Sequence, residues 1–454
     1  MKEYTKPLAA WAANLRYEEI PAALIEKLKD HTLDMLGCAV AGWDRPEILR
    51  MKDALLHGQS EALVWGTGRR IHPSDALLIN GAMSHAVELD DLHKPSKIHA
   101  ACVVVPSVLT VGEMLHLDGR ALLRAMAVGY EVCIRMGMAL GTDSHRRRGW
   151  HATATCGSFA SAAAIGSLMG LDEVRMANAL GLAGTQTGGL MAYTADGSMA
   201  KRFHAGKANA NGWLAATLAA SGFTGPTYVL EAPDGGYAHA ASDAYDLDSL
   251  LEGLGARYHA LDTGLKSYAC CGHIHQAIDA AIYLVKNHGI RPADVREVEV
   301  RTYDVSGMAW GFHDAPKNTV EAQFNIPWAV AVAMLDGQAF LPQFAQDRLA
   351  DSRVISLAKR VTVVADDRYT ARYPGEWCSS VRITLNDGSS FYREVCGAKG
   401  DPVNPLSREE LRDKFNSLTG TQLPQEKKEA IADFISGLEE RKDLKELFLA
   451  MECR

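Results

Sequence analysis

Apolar residues recur every three or four positions through most of the first 265 residues, a spacing that places them on one face of an α-helix. This spacing predicts helices at 24–41, 75–88, 105–117, 120–137 and 172–190. Two further segments, 158–164 and 208–220, are rich in alanine and other small residues, which let helix axes approach closely. The first part of the chain is therefore predicted to be an all-helical domain with a tightly packed centre.

After residue 265, short segments alternate apolar and polar side chains, a pattern typical of half-buried β-strands. Strands are predicted at 298–303, 360–364, 381–385 and 391–395, and the turn at 386–388 favours a hairpin between the last two. Helical spacing predicts further helices at 276–287, 327–335, 341–349 and within 407–451. We therefore predict a mostly α fold, in which residues 1–266 and 403–454 form a large helical domain and 267–402 form a smaller α+β domain.

The composition is that of a globular protein with a sizeable core, because 47% of the 454 residues are hydrophobic and 22% are charged. Lys and Arg total 47 against 55 Asp and Glu, and the net charge of −8 disfavours nucleic acid as a partner. The nine cysteines are too scattered for a disulfide scaffold. The N-terminal residues carry no secretion signal and no run predicts a membrane span, so a cytoplasmic protein is expected.

The segment 85–99 concentrates charge, since eight of its fifteen residues are His, Asp, Glu or Lys. Close opposite charges shift pKa values towards neutral pH, so the segment is a candidate for general acid/base catalysis. Asp91, His93 and His99 also supply the oxygen and nitrogen ligands of a metal site, although no usual metalloenzyme spacing is present. A third interpretation is a solvated loop.

His151 stands just before a helix of small residues, where backbone amides and the helix dipole favour an anion and keep an imidazole neutral. It is a candidate base, although a lone histidine is more often structural. In the segment 197–207, four cationic or potentially cationic side chains lie close together and indicate an anion pocket. They are Lys201, Arg202, His204 and Lys207. Neither a phosphate-binding loop nor a dinucleotide-binding glycine pattern accompanies them.

Lys266 begins a fourth cluster at the predicted domain boundary, a favoured position for ligand sites. The adjacent Cys270 and Cys271 lack the spacing of zinc or iron–sulfur ligands and are interpreted as small packed residues.

Together these segments resemble the MmgE/PrpD family, which includes 2-methylcitrate dehydratase and cis-aconitate decarboxylase. The resemblance spans nearly the whole chain and rests on the segments 85–91 with 94–99, 149–155, 197–206, 265–271 and 321–327. The chain departs from the family where Ala100 and Ala101 follow His99, in place of Pro-Gly or Pro-Ala, and where Trp328 stands in place of a frequent tyrosine.

The resemblance implies a helical domain, an α+β lid domain, a homodimer, and a reaction without metal ion or organic cofactor. It maps the catalytic residues onto Asp91, His99, His151, Lys201 and Lys266. The residues expected to bind the substrate are Lys201, His204, Lys266 and Tyr268.

The function expected is a cofactor-independent lyase for a small anionic polycarboxylate, most simply a dehydratase of the 2-methylcitrate type. Proton removal beside a carboxylate builds negative charge that Lys201 and Lys266 would stabilise. His151 would act at the carbon, and His99, oriented by Asp91, would protonate the leaving hydroxyl, or the two roles are exchanged. Decarboxylase and epimerase activities need similar electrostatics and stay open.

Two functions of a different class also stay open. The first is a metal-dependent hydrolase that uses Asp91, His93 and His99 around a bound ion. The second is a binding protein that keeps the cationic pocket but catalyses no reaction.

Overall fold

The computed structural model describes residues 2–310 and 315–452, which divide into two units. The first unit contains the chain up to Ala86, Asp90–Thr263 and the segment from Ser407 onward; the second contains Val87–Leu89 and Gly264–Leu406. Helices make up 59% and strands 9%, which confirms the predicted mostly α fold with a smaller α+β part. Among the described residues, no helix combines the length and the apolar character needed to span a membrane.

Twelve α-helices of the first unit lie before Gly264 in the described chain. They are α1 (Thr5–Asn14), α2 (Ala22–Gly42), α3 (Pro46–Leu55), α4 (Pro73–Ser84), α5 (Ala101–Met114), α6 (Gly119–Ala139), α7 (Thr142–Arg147), α8 (Ala152–Leu168), α9 (Glu173–Gly184), α10 (Ala200–Ala220), α11 (Tyr237–Ala241) and α12 (Asp248–Leu251). Strands β1 (Ala62–Val64) and β2 (Arg69–Ile71) form an antiparallel pair, and β3 spans Asp91–Leu92. The helix predicted at 75–88 ends early because Glu88 has a φ of 58°, which an α-helix does not accommodate.

Helix α8 is the centre of the first unit, since every residue from Thr153 to Leu168 is buried. It packs against α5, α6, α9 and α10. An ideal Cβ at Gly212 of α10 would lie 2.1 Å from the Ser161 hydroxyl oxygen of α8, and one at Gly206 would lie 2.1 Å from the Leu78 carbonyl oxygen of α4. The small residues of α10 therefore permit its close approach to both neighbours.

The C-terminal segment returns to the first unit as α19 (Arg408–Thr419), α20 (Gln425–Ser436) and α21 (Lys445–Met451). Helix α19 packs on α2, where Phe415 and Leu418 lie against Gly37. On the same face, the Lys414 ammonium lies 2.6 Å from the Asp34 carboxylate, and both side chains are buried. The C-terminal helices are thus anchored to α2 by apolar packing and by a buried ion pair.

The second unit is built on a four-stranded sheet in the order β6-β5-β7-β8, with β5 and β6 parallel and the other pairs antiparallel. Its strands are β4 (Gly264–Leu265), β5 (Val295–Thr302), β6 (Val361–Ala365), β7 (Ser379–Leu385) and β8 (Ser390–Val395). Its helices are α13 (His275–His288), α14 (Asp304–Trp310), α15 (Thr319–Gln323), α16 (Ile326–Asp336), α17 (Ser352–Ala358) and α18 (Asp367–Arg372). The four predicted strands and their hairpin are confirmed.

The helix predicted at 341–349 is wrong. Two short 3-10 turns, Leu341–Phe344 and Gln346–Ala350, replace it, because Ala345 between them has an extended backbone with φ −68° and ψ 151°. A disulfide joins Cys378 and Cys396 at the ends of the β7–β8 hairpin. The six other cysteines among the described residues are buried thiols, so the disulfide is a local crosslink and not a scaffold.

Candidate active site

A tight loop after α4 brings two histidines of the segment 85–99 together. The chain leaves the helix at Ser84, and reciprocal backbone hydrogen bonds between His93 and Ile98 fold it back on itself. As a result, the rings of His85 and His99 lie with their centroids 5.0 Å apart. The charge density of this segment therefore forms a buried cluster and not a solvated loop.

Asp90 is the carboxylate of this cluster. Its Oδ2 atom lies 2.7 Å from Nδ1 of His85 and 3.5 Å from Nδ1 of His99. Both the carboxylate and the His85 side chain are fully buried. One carboxylate thus neighbours two imidazoles, an arrangement that fixes ring orientation and supports proton transfer.

Asp91 acts on His99 through its main chain. His99 Nδ1 donates to the Asp91 carbonyl oxygen at 2.6 Å, whereas the Asp91 carboxylate lies 3.2 Å from His31 Nδ1 and accepts from the Ala101 amide at 3.0 Å. The sequence analysis expects Asp91 to orient His99. In the structure, the Asp91 atom that contacts the His99 ring is the main-chain carbonyl oxygen. Because Nδ1 carries the hydrogen in this contact, Nε2 is the basic nitrogen of the neutral ring.

His151 caps the N-terminus of α8, the position that the sequence predicts. Its ring centroid lies 6.2 Å from that of His85, 5.3 Å from that of His204 and 5.9 Å from that of Tyr193. The Nδ1 atoms of His151 and His204 are 3.1 Å apart. His151 therefore stands between the His85–Asp90–His99 group and the start of α10.

Burial and nearby cations keep these imidazoles neutral. Burial lowers the pKa of His151 well below its usual value, and the Lys201 ammonium and neighbouring imidazoles lower it further. Burial, with smaller effects of His85 and Lys201, lowers the pKa of His204 to about 4. The site has a positive bias that a bound anion would relieve.

Lys201 is the buried cation of this site, at the second residue of α10. Two of the other cationic side chains predicted here have different surroundings: Arg202 lies 3.8 Å from the Glu47 carboxylate, and Lys207 contacts the Asn211 side chain. Lys201 and His204 are thus the two predicted cationic side chains that act on His151.

Lys266 and Tyr268 belong to the second unit, and both contact acidic side chains there. The Lys266 ammonium lies 3.3 Å from Glu88 Oε2 and 3.1 Å from the Glu88 carbonyl oxygen. Tyr268 donates a hydrogen bond to Asp279, and burial strongly raises its pKa. Lys266 is therefore a charge-compensated lysine within this unit, and its catalytic role stays a prediction.

The metal set expected from sequence does not form as proposed. His93 Nδ1 contacts the Ser96 hydroxyl at 2.8 Å, and its ring faces that of His259 at 6.4 Å. In the part of the chain that the structure describes, the only fully buried group of three ligand atoms within 4.8 Å of one another belongs to His85, Asp90 and His99. These three residues could hold an ion, and so could His93 with His259 and Asp262, although Asp262 is exposed.

A cavity of about 550 Å³ opens beside His204 and Tyr193. Its wall includes Gln186, Phe203, Lys207 and Asn211. His204 and Tyr193 also contact His151, so this cavity lies next to the imidazole cluster. Its volume accommodates a small organic acid.

Sequence reasoning did not assign roles to His85, Asp90, His31 and Tyr193. His31 lies on α2, three residues before Asp34, and both are buried. Ionisable side chains on a buried helix face are a signal that could have identified this pair.

The chain is similar to known proteins over nearly its whole length. Residues 6–248 match the MmgE/PrpD N-terminal domain, and residues 268–440 match the MmgE/PrpD C-terminal domain. The chain is 30% identical to cis-aconitate decarboxylase of Aspergillus terreus, over 99% of this chain and 96% of that protein. It is 29% identical to the cis-aconitate decarboxylase-like protein oryM of Aspergillus oryzae (98% and 96%) and 26% identical to cis-aconitate decarboxylase of Mus musculus (98% and 92%).

Proposed function

The chain belongs to the MmgE/PrpD family, and from this premise we propose that it is a carbon–carbon lyase that removes CO2 from cis-aconitate or a closely related unsaturated polycarboxylate. The observation that carries the proposal is the buried imidazole cluster around His151, with the Lys201 ammonium close enough to lower the pKa of His151. The similarity to several cis-aconitate decarboxylases across nearly the whole chain supports decarboxylation over dehydration.

The reaction requires one proton and a place for negative charge. The bond between the methylene carbon of cis-aconitate and its carboxylate breaks, and CO2 leaves. The electron pair of that bond forms a new terminal double bond, the original double bond shifts, and the former vinyl carbon takes up a proton. Negative charge passes through this carbon and its carboxylate, so a cation beside that carboxylate lowers the barrier.

Lys201 is proposed to bind this carboxylate. It is buried and lies at the N-terminal turn of α10, where the helix dipole adds to its positive charge. A substrate carboxylate beside Lys201 would also offset the positive charge that lowers the pKa of His151 in the free protein.

His151 is proposed to deliver the proton. Its imidazole is neutral without ligand, and a bound polyanion raises its pKa so that it takes up a proton before giving it to carbon. His204, with its Nδ1 atom 3.1 Å from that of His151, can return the proton. His99 is the second candidate donor, because its Nδ1 contact with Asp91 makes Nε2 the nitrogen that exchanges protons.

A dehydratase of the 2-methylcitrate type is the second candidate function. Elimination of a hydroxyl needs a base at carbon and a separate acid at oxygen. The His85–Asp90–His99 group beside His151 supplies two distinct imidazole centres for these roles. The dimeric assembly and the cofactor-free reaction that the family resemblance implies are part of the same proposal.

The test is NMR of the protein in D2O with cis-aconitate, 2-methylcitrate and an amino-dicarboxylate offered separately. We expect cis-aconitate to give CO2 and a methylene dicarboxylate with one solvent deuterium on the newly protonated carbon. Conversion of 2-methylcitrate alone would favour the dehydratase, and deuterium exchange without loss of a group would favour an epimerase. Tight binding of all three without any new signal would contradict catalysis.

A further inference from the structure

Two buried side chains on α2 link the candidate active site to the C-terminal helices. His31 and Asp34 lie three residues apart on one helix face, and both are fully buried. His31 contacts the Asp91 carboxylate at 3.2 Å, and Asp34 pairs with the Lys414 ammonium at 2.6 Å. We call His31, Asp34 and Lys414 the buried triad.

The contacts of His31 place its ring hydrogen on the side of Asp91. Its Nδ1 atom faces the Asp91 carboxylate, whereas Nε2 has no hydrogen-bond partner among the described residues. The Tyr130 hydroxyl lies 3.3 Å from the same Nδ1 atom. The carboxylate of Asp91 thus contacts His31 of α2, and the carbonyl oxygen of Asp91 contacts His99.

We propose that the buried triad is a positioning unit for the proposed reaction. It holds Asp91 in place, and the Asp91 carbonyl in turn keeps the hydrogen of His99 on Nδ1. This inference rests on the proposed function only for its activity readout. It makes α19, which supplies Lys414, a part of the machinery that prepares the active site.

The charges around Asp34 make the triad sensitive to pH. Burial raises the pKa of Asp34 to about 6, and Lys414 partly offsets this effect. The other groups that face it are the carboxylates of Asp90 and Asp91 and, on its own helix, His31, whose pKa burial lowers. When Asp34 takes up a proton, Lys414 loses its counter-charge, and its positive charge then acts more strongly on His31, the residue that contacts Asp91.

The direction of the pH effect follows from these contacts. The ionised form of Asp34 is the working form, so activity should decline as pH falls through about 6. Replacing Lys414 removes the group that lowers the pKa of Asp34. The decline of activity at low pH, which is the acid limb of the pH profile, should therefore move to higher pH by at least about one unit. Replacing Asp34 with asparagine removes this titration, so its contribution to the acid limb should disappear.

The chain offers a matched control. Lys29 is a buried lysine of helix α2 itself, and it pairs with Glu439 of the C-terminal segment at 3.0 Å. Breaking that pair also loosens the contact between α2 and the C-terminal region. Lys29→Met should therefore lower stability in the same way but leave the acid limb unchanged.

The experiment compares the full-length variants Lys414→Met, Lys414→Arg, Asp34→Asn and Lys29→Met. The pH profile of kcat/KM on cis-aconitate is measured first. In parallel, spectra of protein labelled with ¹⁵N in its histidine rings report which nitrogen of His99 carries the hydrogen, with the signal assigned by its loss in His99→Gln. We expect Lys414→Met at pH 6.5 to lose activity about tenfold and to shift the His99 tautomer, and Lys414→Arg to restore both.

If Lys414→Met does not fold, the double variant Asp34→Asn with Lys414→Met replaces it, because it removes both charges together. That variant should lack the Asp34 contribution to the acid limb. Unchanged pH profiles and an unchanged His99 tautomer in all triad variants would overturn the inference. A wild-type protein that does not turn over any polycarboxylate, but whose His99 tautomer responds to Lys414→Met, would refute the proposed function and support the triad.

Discussion

The Nδ1 atoms of His151 and His204 face each other at 3.1 Å. Only one of two such nitrogens can carry the hydrogen of the contact, so the pair shares a single proton between its two facing atoms. The pKa of each ring is lowered by burial and by the cation of Lys201, which keeps a second proton out. The pair is therefore ready to gain a proton when a polyanion enters.

Binding of a polycarboxylate should take up protons. The imidazole pKa values are depressed in the free protein and rise when negative charge arrives, so affinity should increase as pH falls from about 8 towards about 5. Titration calorimetry with citrate in buffers of different ionisation enthalpy measures the proton number. A value of zero, or tighter binding at higher pH, would contradict the assignment of these histidines to the anion site.

His151→Gln should lower kcat by at least about a hundredfold, because it removes the proposed proton donor. The control is His145→Gln. His145 is also buried, but both its ring nitrogens contact structural groups, the Ala241 carbonyl and the Thr155 hydroxyl. The His145→Gln variant should be less stable than the wild type, but its folded fraction should keep the wild-type kcat. Equal losses of kcat in the two variants would remove His151 from the mechanism.

Lys201→Met should reduce kcat/KM by about a hundredfold or more, since the cation that stabilises the developing charge is lost. It should also raise the pKa of His151, because the ammonium now lowers it. Lys428→Met is a suitable comparison: this lysine is also buried and donates to backbone carbonyls, at 2.7 Å from that of Gly420 and 3.3 Å from that of Asn416. Steady-state kinetics of both proteins would separate electrostatic catalysis from packing.

The sequence carried enough information for the fold class, for the N-terminal position of His151 on α8 and for the inclusion of Lys201 in a cationic cluster. It did not identify the partners of buried groups. The apolar spacing of α2 predicts the helix but not the pairing of Asp34 with Lys414, because long-range ion pairs have no local pattern. The same limit applies to Asp91: the family resemblance pairs it with His99, but only the structure shows that the Asp91 carbonyl oxygen makes the contact.

Activity should survive removal of metal ions. The group His85, Asp90 and His99 could hold an ion, but in the proposed reaction Lys201 supplies the positive charge. Overnight treatment with a chelator, followed by elemental analysis and assay, should give metal-free protein with full activity. Activity that is lost with the metal and returns with zinc or manganese would instead favour a metal-dependent enzyme centred on these three residues.

Gly206→Ala should destabilise the protein by about 2 kcal/mol, although alanine is the better helix former. The added Cβ would lie 2.1 Å from the Leu78 carbonyl oxygen, so α10 and α4 must separate. Because α10 carries Lys201 and α4 leads into His85, separation should also lower activity. Gly307→Ala is the control, since among the described residues the nearest atoms to a Cβ there lie 3.7 Å away. Urea unfolding gives the free energy of each variant, and equal stability of the two would show that the contact between α10 and α4 can yield without consequence for the site.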